Sequence, residues 1–261
     1  MNVSEGRDAH TIAALAGAAG VDLLDVHTDP HHHRTVLTLA GEDAPRAVTA
    51  VAVERIDLRT HQGAHPRLGA VDVVPFVALG GSPPGDAIRA RDDFAVWLAS
   101  ALGVPCFVYG IERSLPDIRR AAFDGLRPDH GPAEPHPTAG ATAVGARGPL
   151  VAYNVWLDHD LATARQVARK VRGPSIRALG LLVGDRVQVS MNLIDPRTVG
   201  PADAYDLVVE IASEADATVE GAELVGLIPA SVLEGVSPAR WSELDIDEER
   251  TIEARLAARS G

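Results

Sequence analysis

Residues 60 to 76 read Thr60-His61-Gln62-Gly63-Ala64-His65-Pro66-Arg67-Leu68-Gly69-Ala70-Val71-Asp72-Val73-Val74-Pro75-Phe76. Gly63, Pro66 and Gly69 interrupt any helix, whereas residues 70 to 79 form an apolar, β-branched run with the character of a buried strand. The polar half is therefore a loop that feeds a strand. It carries two imidazoles, His61 and His65, with Arg67 beside them, so groups able to move a proton and a fork able to bind an anion share one short segment. His65 precedes proline, which biases its backbone toward an extended conformation. Loops held by rigid elements are where chemistry concentrates.

Outward from this loop the pattern alternates between helix and strand. Ser4 or Asp8 can cap a helix that places Ile12, Leu15, Ala16 and Ala19 on one side and stops at Gly20. Strands are expected over 21–26 and 35–39, an amphipathic helix over 44–56, the strand over 71–79, a long helix over 86–102, a strand over 104–109 and a shorter helix over 115–126. Residues 127–142, rich in Pro, Gly and His, have the composition of a linker. A second unit follows, with strands over 150–157, 176–183, 187–194 and 219–227, helices over 160–172 and 202–215, and a tight turn at Gly184-Asp185 that signals a hairpin. A charged helix over 248–258 ends the chain. The fold class is α/β (α+β), with two sheets flanked by helices. The expected division is 1–142, 143–240 and a helical tail over 241–261.

The chain has 261 residues, 46% of them hydrophobic, which is ample for a core. Its apolar runs are broken well short of a membrane span, and the N-terminus has no basic region followed by an apolar stretch, so a soluble cytoplasmic protein is expected. A formal charge of -12 with few aromatic residues argues against nucleic acid as a partner. The single cysteine, Cys106, excludes an internal disulfide and a cysteine zinc site.

His61-Gln62-Gly63-Ala64-His65-Pro66-Arg67-Leu68-Gly69-Ala70 with Val71 to Phe76 resembles the active-site segment of the glutamate formiminotransferase family. Similar matches lie at Asn2-Val3-Ser4-Glu5-Gly6, at Gly145-Ala146-Arg147 with Ala152-Tyr153-Asn154, at Gln188 to Asp195 and at Glu223 to Pro229, in family order. The resemblance implies two α/β subdomains, each a mixed sheet with helices on one face, and a ligand cleft between them. It also implies transfer of the formimino group of N-formimino-L-glutamate to N5 of tetrahydrofolate, a co-substrate rather than a bound cofactor. His65 matches the family's catalytic histidine. His61 and Arg67 share its motif, and residues 145–154 resemble the folate-binding segment, which makes Gly145, Ala146, Arg147, Tyr153 and Asn154 candidates for folate contact. Arg34, Arg67 and Arg147 are candidates for gripping carboxylates. Small molecules are thus the expected partners, with a homodimer implied by resemblance alone. The family's bifunctional members append a cyclodeaminase, which this length does not accommodate.

The residues depart from the family at His33, where Asn is usual, at His27, where a carboxylate is usual, and at Ala64, where Glu is frequent. The shorter start, before Asn2, is a further departure. These bear on substrate preference, and they keep two other readings in view: an enzyme acting on 5-formyltetrahydrofolate, and a non-catalytic folate-binding protein. No metal is expected. The His61 to His65 spacing lacks a zincin's Glu and helix, and of His31, His32 and His33 only alternate side chains on a strand end share a face. Leu79 to Gly85 lacks the lysine of a phosphate loop and reads as a turn.

Overall fold

The computed structural model describes residues 1–63 and 66–259. They divide into two compact units, Met1–Arg147 and Gly148–Gly261.

The first unit is built on a six-stranded mixed sheet. Its strands are β1 (Asn2–Val3), β2 (Leu23–Asp29), β3 (Arg34–Leu39), β4 (Val71–Phe76), β5 (Cys106–Tyr109) and β6 (Thr142–Ala146), in the order β2-β3-β1-β4-β6-β5. β1 pairs antiparallel with both β3 and β4, while β4, β6 and β5 run parallel. Four of these strands match the sequence reading. The other two escaped it: β1 has only two residues, and β6 reads Thr-Ala-Val-Gly-Ala, in which Ala and Gly carry little strand preference. Far from being an edge, β1 lies inside the sheet.

Helices α1 (Ala9–Ala19), α2 (Asp43–Arg55) and α3 (Pro84–Leu102) cover one face, burying Leu15, Val48, Phe94 and Leu98 against Val74, Phe76, Val108 and Val144. The expected N-cap of α1 is Asp8, which accepts the His10 amide. Alternation along β5 and β6 sends Phe107, Tyr109 and Ala143 to a second cluster, where they meet Ile118 of the short α4 (Leu115–Ala121). Ser114 and Asp117 form a capping box that starts α4.

Residues 127–142, read as a linker, lie within the first unit. The Asp129 carboxylate accepts the Val108 amide and the Arg113 guanidinium, and Cys106 and His130 pair across a bridge. Proline and glycine mark a segment without regular structure, which is not the same as one without contacts.

The second unit holds a four-stranded antiparallel sheet in the order β10-β7-β9-β8. Its strands are β7 (Val151–Asp158), β8 (Ile176–Val183), β9 (Arg186–Leu193) and β10 (Thr218–Val225), with Gly184-Asp185 closing the expected β8–β9 hairpin. α5 (Leu161–Val171) and α6 (Pro201–Ser213) pack on the face carrying Val151, Tyr153, Val155, Val189, Met191 and Leu224. The region expected as a tail joins this core through buried Leu244 and Ile246, between the short α7 (Ala230–Leu233) and α8 (Ile252–Arg259). Among the described residues no helix is long and apolar enough to cross a membrane.

Candidate active site

Three pieces of backbone meet beside the loop that opened the sequence reading. The first follows β1, where Ser4 Oγ donates to the Gly69 carbonyl at 2.8 Å and Thr35 Oγ1 donates to the Glu5 carbonyl at 2.6 Å. The second is the β2–β3 turn. There Asp29 Oδ1 accepts the amides of His31 at 2.7 Å and His32 at 2.8 Å, folding the histidine tract over. Burial alone would raise the Asp29 carboxyl, but the bonds from the His32 side chain and amide outweigh it and hold it at about 2. His31 is exposed, whereas His32 and His33 turn inward. The third piece is the backbone at 61–63. A Cβ at Gly63 would stand 2.6 Å from the His32 carbonyl oxygen and 2.8 Å from the His33 Cβ, so only glycine lets the two loops touch.

The result is a tight crevice lined by Ser4, His32, His33, Arg34, His61 and Arg67. Every side chain in it other than Ser4 is a guanidinium or an imidazole, and the two guanidiniums, Arg34 and Arg67, favour an anion.

His33 takes a left-handed backbone at φ +52°, and its ring stacks on that of His61 with centroids 3.9 Å apart and planes inclined by 27°. His33 Nδ1 accepts the Gly6 amide at 3.1 Å and lies 3.4 Å from Glu5 Oε1. His61 Nε2 is 3.3 Å from the His33 carbonyl oxygen, while its Nδ1 is buried with no hydrogen-bond partner among the described residues. Such a pairing assigns the proton to Nε2 and the lone pair to Nδ1. Burial pushes both imidazoles below their ordinary value, and for His61 the neighbouring His33 acts in the same direction.

The arginines do more internal work than their motif positions suggest. Arg67 donates to the carbonyls of His61 at 3.0 Å and Gly63 at 3.4 Å, so it holds the loop around itself. Arg34 donates to the buried Asp72 carboxylate at 2.8 Å. Arg147 is buried against the Tyr109 hydroxyl, and its amide bonds the Phe76 carbonyl. His65, assigned the catalytic role in the sequence, lies outside the described residues together with Ala64.

The remaining candidates are placed by their own strands. Gly145 and Ala146 belong to β6, where a Cβ at 145 would stand 2.1 Å from the Tyr109 ring, so the aromatic group already fills that space. Tyr153 points into the second core and donates its hydroxyl to the Leu244 carbonyl at 2.9 Å. Asn154, on the other face of β7, donates to Glu223 Oε2 at 3.0 Å. Sequence reasoning passed over Ser4 as a pocket wall, whereas it took the histidine tract as polar residues at a pocket rim, and His32 and His33 line the pocket. It also passed over Asp72, whose signal was present: a lone carboxylate inside an apolar strand must find partners.

Residues 1–147 match the family profile described as "Formiminotransferase domain, N-terminal subdomain", and residues 152–254 match "Formiminotransferase domain". The chain belongs to the formiminotransferase family. It is 34% identical to the glutamate formimidoyltransferase of Streptococcus pyogenes serotype M1, a match that covers 96% of this chain and 95% of that protein. The glutamate formimidoyltransferase of Thermoplasma acidophilum is 32% identical, over 98% of this chain and 95% of its own. The formimidoyltransferase-cyclodeaminase of Sus scrofa is 33% identical, and there the match spans 89% of this chain but half of that longer protein. The pocket lies within the part of the chain that matches the N-terminal subdomain of the family.

Proposed function

We propose that this protein is a glutamate formimidoyltransferase that moves the formimino group of N-formimino-L-glutamate to N5 of tetrahydrofolate. The observation that carries the reading is the pocket lined by His32, His33, His61, Arg34 and Arg67, adjoining the loop that holds position 65. The guanidiniums of Arg34 and Arg67 suit a donor with two carboxylates. N5 of the folate attacks the formimino carbon, giving a tetrahedral carbon bonded to N5, to the former imino nitrogen and to the glutamate nitrogen. The N5 proton must leave, and the glutamate nitrogen must gain one before its bond to carbon breaks. An imidazole at position 65 serves both transfers, and positioning the two substrates supplies much of the rest. The products are 5-formiminotetrahydrofolate and glutamate, which places the enzyme in histidine breakdown and one-carbon metabolism. By the same reading it acts in the cytoplasm as a homodimer and uses no metal.

Incubating the purified protein with tetrahydrofolate and formiminoglutamate and following glutamate release tests this. Turnover is expected. Folate binding without turnover would favour the binding-protein reading instead, and turnover of 5-formyltetrahydrofolate alone would favour the other one-carbon reaction.

A further inference from the structure

Asp72 is fully buried, and both of its oxygens are in use. Oδ1 accepts the Leu68 amide at 2.7 Å and Arg119 Nη1 at 3.2 Å, and Oδ2 accepts Arg119 Nη2 at 2.6 Å and Arg34 Nη1 at 2.8 Å. Burial would raise this carboxyl, but the charges of Arg34 and then Arg119 prevail and keep it ionised. Arg119 comes from the last turn of α4, 47 positions along the chain, and its Nη1 also donates to the Pro66 carbonyl at 3.3 Å. The guanidinium thus grips the first residue after position 65 directly and the third through the carboxylate. On the other side, Arg67 draws in the carbonyls of His61 and Gly63. The described backbone at 61, 63, 66 and 68 is thus held by side chains.

We propose that Arg119, acting through Asp72 and the Pro66 carbonyl, is a positioning residue that fixes Pro66 and Leu68, the backbone that follows position 65, for the transfer reaction. The proposal rests on the reading of position 65 given above. A planar fork is needed, because one cation must satisfy two carboxylate oxygens and a carbonyl at once, which a lysine ammonium cannot match in geometry. Arg119 keeps a quarter of its side chain in solvent and lies outside the pocket lining, so its influence on the reaction runs through the loop rather than through contact with either substrate.

The test compares wild type, Arg119→Gln and Arg119→Lys as full chains, measuring kcat, the KM of each substrate, the unfolding transition and hydrogen exchange at the Leu68 amide. A misplacement of about 1 Å costs on the order of 100-fold in rate, so that drop in kcat is expected for Arg119→Gln with KM nearly unchanged. Faster exchange at Leu68 and a retained fold should accompany it, with Arg119→Lys falling between. A kcat within about threefold of wild type would overturn the proposal, as would a Leu68 amide as protected as before. If Arg119→Gln does not fold, the same criteria apply to Arg119→Lys. A wild-type protein that gives no turnover defeats the functional reading instead, and exchange at Leu68 then decides on its own whether Arg119 holds the loop.

Discussion

The rings of His33 and His61 lie 3.9 Å apart and nearly parallel, with the His33 carbonyl within reach of His61 Nε2. Two imidazoles in that arrangement resist being charged together. Both are lowered from the ordinary value of 6.5 by burial, so below that pH the unfolded chain takes up protons that the folded chain refuses. Stability is then intact above pH 6.5 and declines as the pH falls toward the folded values. His33→Asn, which keeps an acceptor for the Gly6 amide, should make that decline shallower, as read from urea unfolding at about pH 7 and about pH 5. A steeper decline would contradict the assignment.

Replacing His65 with Ala should leave the unfolding transition in place and lower kcat by about 10²–10⁴-fold, the usual contribution of a positioned acid–base group. Full turnover by His65→Ala would remove the mechanism while leaving the family assignment untouched.

Asp72→Asn keeps the shape of the side chain and removes its charge, leaving Arg34 and Arg119 to face each other across a neutral amide. Breaking a buried pair in this way costs roughly 3–5 kcal/mol, because a charge is left without compensation. Thermal or urea unfolding should register that loss. A cost under about 1 kcal/mol, the size expected of an exposed pair, would mean that the cluster is wetter than its burial implies.

Gly63→Ala drives a methyl group to within 2.6 Å of the His32 carbonyl oxygen, a backbone atom that cannot rotate aside. Overpacking of this kind costs roughly 1–3 kcal/mol. The strain falls on the contact between the histidine turn and the loop, so binding of an anionic substrate should weaken together with stability, measurable by calorimetry.

Most elements were legible because each depends on local pattern. Apolar spacing gave α3 and α5, Asp8 marked the start of α1 and Asp160 that of α5, and Gly184-Asp185 announced the hairpin. β1 and β6 were not legible, since two residues carry no period and an Ala/Gly strand carries little preference. At the site, the loop and its His61 and Arg67 could be read from one short segment. Their partners could not: Arg34 and Arg119 reach Asp72 across 38 and 47 positions, separations that depend on how the sheet assembles. Tyr153 shows a side chain settled by its own strand. Its neighbour Asn154 faces away from the helices, but alternation along β7 turns the tyrosine into the core.

α4 has seven residues, fewer than the ~12–15 at which an isolated helix in water becomes even marginal. Its capping box can bias the turn but cannot keep it wound alone, so the helix exists only once Ile118 has docked beside Phe107. A nascent chain that has emerged only through residue 105 already owns its histidines and its carboxylate, yet lacks the strut that would set them. During synthesis, assembly of this corner must therefore wait for a segment made well after the loop it secures.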